Sequence, residues 1–258
     1  LFAEALDLAK SLGAGSIEIR SLYSSGLVRS EQLREDDSFM MHSLDLTKGL
    51  DGLWEGFHKS ATRKSIRQAH DRGVCLREVR DEEGLRCFFN LHRASRKLHG
   101  LPLHPYRFFA ALWDVFSTDG RLQILLAEKD QTPLGMLLLM KYRNRISCDY
   151  GASDPQHKQL RVNHFLTWEA IQRGVREGYR DFDFGRTSVQ NTGIMEYKNK
   201  WGASLSSIPY FFYPPLPSGS NATENRVSLK KSLVAALCRY APDCVQEPIG
   251  KFCYRHLG

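Results

Sequence analysis

Between Leu122 and Ala152 the chain reads as three strands in immediate succession: Leu122 to Lys129, Leu134 to Tyr142 and Arg145 to Ala152. They are joined by Asp130 to Pro133 and by Arg143-Asn144, which are hairpin connections, because a parallel crossover needs roughly a dozen residues or more. The middle run is apolar almost throughout, so it should be covered on both faces. The flanking helical patterns can supply that cover. Glu82 to His99, stopped by Gly100, turns Leu85, Phe88, Phe89 and His92 inward. A helix after Pro105 carries Phe108, Phe109, Leu112, Trp113 and Phe116 as a core stripe. Leu160 to Gly178 forms a largely buried helix with Phe165, Trp168, Ile171 and Val175 on one side. Helices and strands this intermixed exclude a simple parallel α/β sheet.

Ahead of the meander, Leu1 to Leu12 reads as a helix, Ser16 to Leu22 and Ser38 to Leu46 as strands around a polar stretch, and Val74 to Val79 as another strand. The first residue is Leu1, already inside a helical pattern, so further sequence is expected upstream. Leu50, Leu53, Trp54 and Phe57 follow helical spacing up to Ser60, the N-cap of a helix over Ala61 to Arg72. On that helix Arg63 and Arg67 lie one turn apart, with Lys64 beside them. They form either a phosphate grip or a solvated charged face.

The stretch Gly178 to Ala203 concentrates polar chemistry. Tyr179 to Phe184 alternates like a strand and Gly185 is expected to stop it. A polar turn with Arg186, Thr187 and Ser188 follows. Thr192 would cap a helix with Ile194, Tyr197 and Trp201 on its stripe and Gly202 as its left-handed end. Lys198 and Lys200 leave that helix sideways, holding cations over a cleft. Ser204 to Tyr213 reads as a final strand, followed by a linker with Pro214, Pro215 and Pro217 and a basic helix.

The net charge of +7 favours anionic partners. No run reaches the ~18 apolar residues of a membrane span and no signal-peptide layout opens the chain, which reads as cytoplasmic. The six cysteines form no C-x-x-C pair and the nine histidines no H-E-x-x-H motif, so no metal is expected.

From Val74 onward the order of elements resembles the GNAT acyltransferase fold, an α+β fold. S-A-T-R-K-S-I-R-Q-A-H-D-R-G-V at Ser60 to Val74, R-K-L-H-G-L-P-L-H-P-Y-R-F-F at Arg96 to Phe109, F-D-F-G-R, and Y-K-N-K-W-G-A around Lys198 are similar to the FemAB family. That family carries tandem GNAT-like domains. The resemblance implies the end of a first, truncated domain over residues 1–48, a second domain over 49–213, and a Pro-rich linker with a helical tail over 214–258. The Arg96 to Phe109 segment and the Arg239 to Gly258 tail look most like FemAB-like proteins found with exosortase and PEP-CTERM systems.

What the resemblance implies is acyl or aminoacyl transfer to an amine on a cell-envelope or exopolysaccharide precursor, with acyl-CoA or aminoacyl-tRNA as donor and no metal. Lys198, Asp183 and Tyr150 are the expected catalytic groups: charge stabilisation by the lysine, proton handling by the other two. Arg63, Arg67, Arg186, Asn163, His164 and Tyr197 are the expected substrate-binding set. The loop Asp154 to Asn163 lacks the glycines that usually cradle a CoA pyrophosphate at a helix start, which leaves His157, Lys158 and Arg161 as side-chain substitutes. Two alternatives stay open: a non-catalytic module binding a nucleotide- or lipid-linked sugar or peptide, and a nucleic-acid surface, for which tRNA as donor is the form expected and DNA is not. The tail, with Leu229, Leu233, Leu237 and Tyr240 beside Lys230, Lys231 and Arg239, should lie on the inner leaflet through residues 226–258 or fold back on the domain.

Overall fold

The computed structural model describes residues 2–20, 33–214 and 228–256, with side chains for 234–255 in the last segment. The chain opens with α1 (Phe2–Ser11), β1 (Ile17–Arg20), β2 (Arg34–Asp36) and β3 (Phe39–Asp45). Next come α2 (Gly49–Gly56), α3 (Lys64–Asp71), β4 (Cys75–Glu78), α4 (Glu82–Leu98) and α5 (Tyr106–Phe116). The meander is β5 (Leu122–Lys129), β6 (Thr132–Tyr142) and β7 (Arg145–Ser153). It leads into α6 (Val162–Arg176), β8 (Asp181–Ser188), α7 (Thr192–Asn199), β9 (Ser204–Ser207) and β10 (Tyr210–Tyr213). The tail is α8 (Ser228–Tyr240) and α9 (Asp243–His256).

The large sheet has the order β4-β5-β6-β7-β8-β3-β9, and β6 is its apolar interior strand. Period-two alternation divides the core between the two faces. Leu125, Leu137 and Leu139 pack with Phe57, Ile66, Ile171 and Trp201 from the side of α2, α3 and α6. Ile124, Met136 and Leu138 pack with Leu85, Phe88 and Phe109 from α4 and α5.

β3 is hydrogen-bonded between β8 and β9, so the large sheet draws on residues before the expected boundary at 48. The expected strand Ser204 to Tyr213 is instead two. β9 ends the large sheet, while β10 crosses to a three-stranded sheet with β1 and β2.

β7 and β8 are parallel neighbours only over Arg145↔Asp181, Ile146↔Phe182 and Ser147↔Asp183. Immediately beyond, each strand carries a bulge. Leu138 pairs with Tyr150 and Leu139 with Cys148, leaving Asp149 as an extra residue in β7. Met41 pairs with Arg186 and Ser43 with Asp183, so Phe184 and Gly185 of β8 face the single residue His42. Bulges bend and twist a strand, and two in adjacent strands part them. Gly185 therefore does not stop β8, as its sequence position suggested. It holds φ +75, where an added Cβ would lie 3.2 Å from the Cys148 carbonyl, and the strand continues to Ser188.

The tail folds back on the domain. Lys97 Nζ donates to Asp243 (2.7 Å), the Tyr106 amide to Glu247 (3.0 Å) and Arg96 to the Tyr254 hydroxyl (2.7 Å). Cys238, Ala241 and Cys253 are buried, whereas Leu237 and Tyr240 of the expected packing stripe face outward. The linker from 215 and the side chains of Leu229, Leu233, Lys230 and Lys231 lie outside the described residues. Among the described residues no helix is long and apolar enough to cross a membrane.

Candidate active site

The parting of β7 and β8 opens a cleft of about 420 Å³. Its walls are apolar where Leu137, Ala152, Leu166, Phe184 and Ile194 line it, and polar where Thr167, Tyr197 and Lys198 close it. Asn163 and Ser153 line it as well.

Lys198 is the best-defined polar group of this cleft. Only 7% of it is exposed. Its ammonium donates to the Gly185 carbonyl (2.6 Å) and to Thr187 Oγ1 (2.7 Å). The F-D-F-G segment builds that first acceptor. Asp183 accepts the Gly185 amide through Oδ1 (2.8 Å), fixing the left-handed turn that aims the carbonyl at the lysine. Asp183 Oδ2 in turn takes Arg145, 3.3 Å away. Burial pulls Lys198 down to about 8, against the opposing pull of Asp183, so the ammonium is still the main form at neutral pH.

The helix that carries Lys198 is pinned at both ends. Asn191, rather than Thr192, is its N-cap, accepting from the Ile194 amide (3.2 Å). At the other end His42 Nε2 meets Asn199 Oδ1 at 3.0 Å, and the fully buried Trp201 packs edge-on against Phe57 (5.0 Å). Gly202 has φ +67, and an added Cβ would meet the Gly56 carbonyl at 2.8 Å, so the W-G pair is a close-approach device.

Two further cavities, of about 520 and 600 Å³, meet at Asp149 and Asp183. The first is lined by Arg20 and Arg186, and shares Cys148 and Phe184 with the cleft. Desolvation raises the Asp149 carboxyl, the Ser147 hydroxyl (3.1 Å) opposes this, and Asp183 adds to it. Burial first, then Asp149 and Asp183, push the Cys148 thiol well up, so it stays protonated and is no nucleophile at neutral pH.

The remaining expected residues divide in two. Tyr197 lines the cleft, with its hydroxyl 3.1 Å from Thr167 and 3.4 Å from the Asn163 carbonyl, and burial pushes it up to about 12. His164 lies edge-on to Tyr197 (5.1 Å), drawn down to about 4 by burial and then by Arg161 and Lys200. Arg186 stands over the Phe39 ring (5.0 Å) and donates to the Tyr210 hydroxyl. Tyr150 lies on the other face of β7, its ring 5.1 Å from Phe109 and 5.3 Å from His104. Arg63 donates to the carbonyls of Phe57 and Glu55 (both 2.9 Å), and Arg67 stacks over Trp54 (5.5 Å). Neither arginine lines the cleft or the two cavities beside it.

At the start of α6, Arg161 itself adopts φ 57, the turn a glycine would ordinarily make. His157 is held by Asp154 (2.9 Å), and Lys158 is exposed. In the first turn of α6 the His164 amide is taken by the Arg161 carbonyl (3.0 Å), which leaves the amides of Val162 and Asn163 as the ones an anion could meet despite the missing glycines. Asp149, Arg145, His42 and Arg20 were not singled out in the sequence. Arg145, Ser147 and Asp149 alternate with Ile146, Cys148 and Tyr150 as any strand would, so nothing in the pattern marks the bulge.

A mixed sheet whose two parallel neighbours part around a cleft, with a helix starting at its mouth, defines a GNAT-fold acyltransferase. Residues 57–199, more than half of the chain, match the family described as acetyltransferase (GNAT) domain, and the chain belongs to that family. No curated protein matches it in sequence. Among solved structures it is similar to FemX, at a TM-score of 0.61 and 19% identity over 81% of this chain and 68% of that one. It is also similar to the C-terminal domain of a putative lysylphosphatidylglycerol synthetase from Agrobacterium fabrum, at 0.62 and 13%, over 82% and 72%. A tandem GNAT protein from the clavulanic acid biosynthesis pathway aligns at 0.55 and 13%, over 84% and 69%. At these identities the likeness is one of fold, and it bears out the GNAT-like architecture expected from the order of elements.

Proposed function

We propose that the chain is a FemAB-type transferase that moves an acyl or aminoacyl group from a thioester or ester donor to the amine of a cell-envelope or exopolysaccharide precursor. The observation that carries this reading is the buried Lys198 ammonium at the polar end of the β7–β8 cleft. Two of its three N–H groups have protein acceptors. The third is available to a carbonyl oxygen that becomes an oxyanion during acyl transfer.

The donor's acyl-bearing arm enters the cleft, and its phosphates meet the first turn of α6, with Lys158 and Arg161 beside it. The acceptor comes from the cavities on the other side, where Asp149 and Asp183 attract an ammonium and Arg20 and Arg186 meet anionic groups of the same molecule. Asp149 takes a proton from the acceptor ammonium. The neutral amine then forms the new C–N bond at the acyl carbon, and the C–S or C–O bond to the donor breaks as the tetrahedral intermediate collapses. The proton lost by the amine balances the one gained by the leaving thiol or hydroxyl. Asp183 and Arg145 hold the turn that aligns Lys198.

The fold neighbours named FemX and lysylphosphatidylglycerol synthetase support testing aminoacyl-tRNA beside acyl-CoA as donor. The test is release of free CoA or of deacylated tRNA in the presence of amine-bearing envelope and polysaccharide precursors. Amine-dependent release from either donor supports transfer. No release from either, with retained binding of a nucleotide-linked sugar, replaces the proposal with a binding module.

A further inference from the structure

α8 and α9 are amphipathic in an unusual sense: their inner side is made of small residues together with the polar Gln246, and their outer side holds bulky apolar ones. Cys238, Ala241, Gly250 and Cys253 are buried against the domain. Leu237, Tyr240 and Phe252 are 51%, 77% and 65% exposed, and Val245 is exposed with them. Charge is sorted in the same way. Among residues 234–255 the acids are Asp243 and Glu247, and both are engaged by the domain. Asp243 bonds Lys97 (2.7 Å) and lies 3.8 Å from Arg93, while Glu247 accepts the Tyr106 amide (3.0 Å). The cations Arg239, Lys251 and Arg255 are all exposed.

We infer that the outer face of α8–α9 docks the protein on an anionic lipid bilayer. Aromatic and aliphatic side chains interleaved with lysine and arginine are what an in-plane interfacial helix requires: apolar groups entering the acyl boundary and cations meeting lipid phosphates. A second copy fits less well, because an isologous contact would set these cations against their own symmetry mates. The helix that carries this face packs beside the cleft. α8 seats on Gly100, where an added Cβ would lie 2.8 Å from the Ala235 carbonyl, and the preceding Leu98 and His99 line the cleft. A transferase docked this way works beside a lipid-borne substrate, but the docking itself is read without turnover and stands apart from the acyl-transfer reading.

The test is flotation of the full chain with phosphatidylcholine vesicles, with and without about 30 mol% phosphatidylglycerol, at low and at 0.5 M salt. The variants are Arg239→Gln/Lys251→Gln/Arg255→Gln and Leu237→Ser/Tyr240→Ser, surface changes whose folding is checked by thermal melting. Wild type should float with anionic vesicles only, and release in salt. The triple variant should bind roughly 100-fold more weakly, about five-fold per cation removed. The double variant should also lose binding. No flotation of wild type, or wild-type flotation by both variants, overturns the inference. So does a concentration-dependent dimer, seen by sedimentation, that these substitutions abolish while vesicles stay unbound.

Discussion

The α3 stripe and the wall of the β7–β8 cleft both present cations that the sequence marks, and the fold treats them in opposite ways. Arg63 closes the carbonyls at the end of α2 and Arg67 covers Trp54, so both guanidinium groups are fastened to the outside of one core. Lys198 is carried inward, bonded to one carbonyl and one hydroxyl, and aimed along a cleft whose walls are largely apolar. Lys200, two residues on, pairs with Glu196 (2.5 Å) in the manner of a surface lysine. What separates the two regions is not charge or spacing but desolvation. A cation gains leverage on a reacting group where water is removed from it, and that is also where its own pKa falls.

The comparison can be pressed hardest at Asp149. Asp149→Asn should reduce turnover by roughly 100- to 10,000-fold with little change in melting temperature, since the side chain is a raised carboxyl at a cavity wall. Steady-state rates at saturating donor would show it. An unchanged rate would remove Asp149 as the base.

Gly185→Ala should destabilise the fold by about 1–3 kcal/mol, because φ +75 is strained for alanine and the new Cβ crowds the Cys148 carbonyl. Turnover should fall with it, as the turn that aims Lys198 is lost. Denaturant melts and rates on the same preparation would separate the two effects.

Stability should also depend on acid. His92, His104 and His164 are drawn down to about 3, 4 and 4, in each case chiefly by burial. Between those values and the unfolded value near 6.5 the unfolded chain binds more protons, so stability is full above about pH 6.5 and declines as pH falls through this window. Melting temperatures from pH 7.5 to 4.5 would show the decline. His104→Phe should lessen it, and a flat profile would contradict the buried neutral histidines. The smallest effect belongs to the α3 stripe, where Arg67→Ala should leave turnover within about two-fold. A loss as large as that expected at Asp149 would return the stripe to the site.

Much of this fold was legible because the hairpins between Leu122 and Ala152 leave few topologies, and because Gly100 ends α4 and Phe109, Trp113 and Phe116 pack on the core as expected, whereas Phe108 of the same expected stripe is 38% exposed. The cleft was only half legible. Lys198 and Tyr197 line it, whereas Asp183 stands behind the Gly185 turn and lines the two cavities beside it. Asp149 was hidden by a strand pattern that a bulge does not disturb, and Tyr150 alternates to the far face of the same strand. Arg63 illustrates the remaining difficulty: which carbonyls a guanidinium will find is set by packing between elements, and spacing along one helix carries no record of it.

The most direct test of the Lys198 assignment is the pH dependence of turnover for wild type and Lys198→Met, each normalised to folded protein. Wild-type turnover should decline above about pH 8 as the ammonium is lost. Lys198→Met should be roughly 100-fold slower or more and should lack that decline. Stability gives an independent signature. Because the folded pKa is lowered, wild type should gain stability as pH rises from about 8 towards the unfolded value near 10.5, and the variant should not. Wild-type turnover per folded Lys198→Met molecule, with the same alkaline decline, would contradict the account.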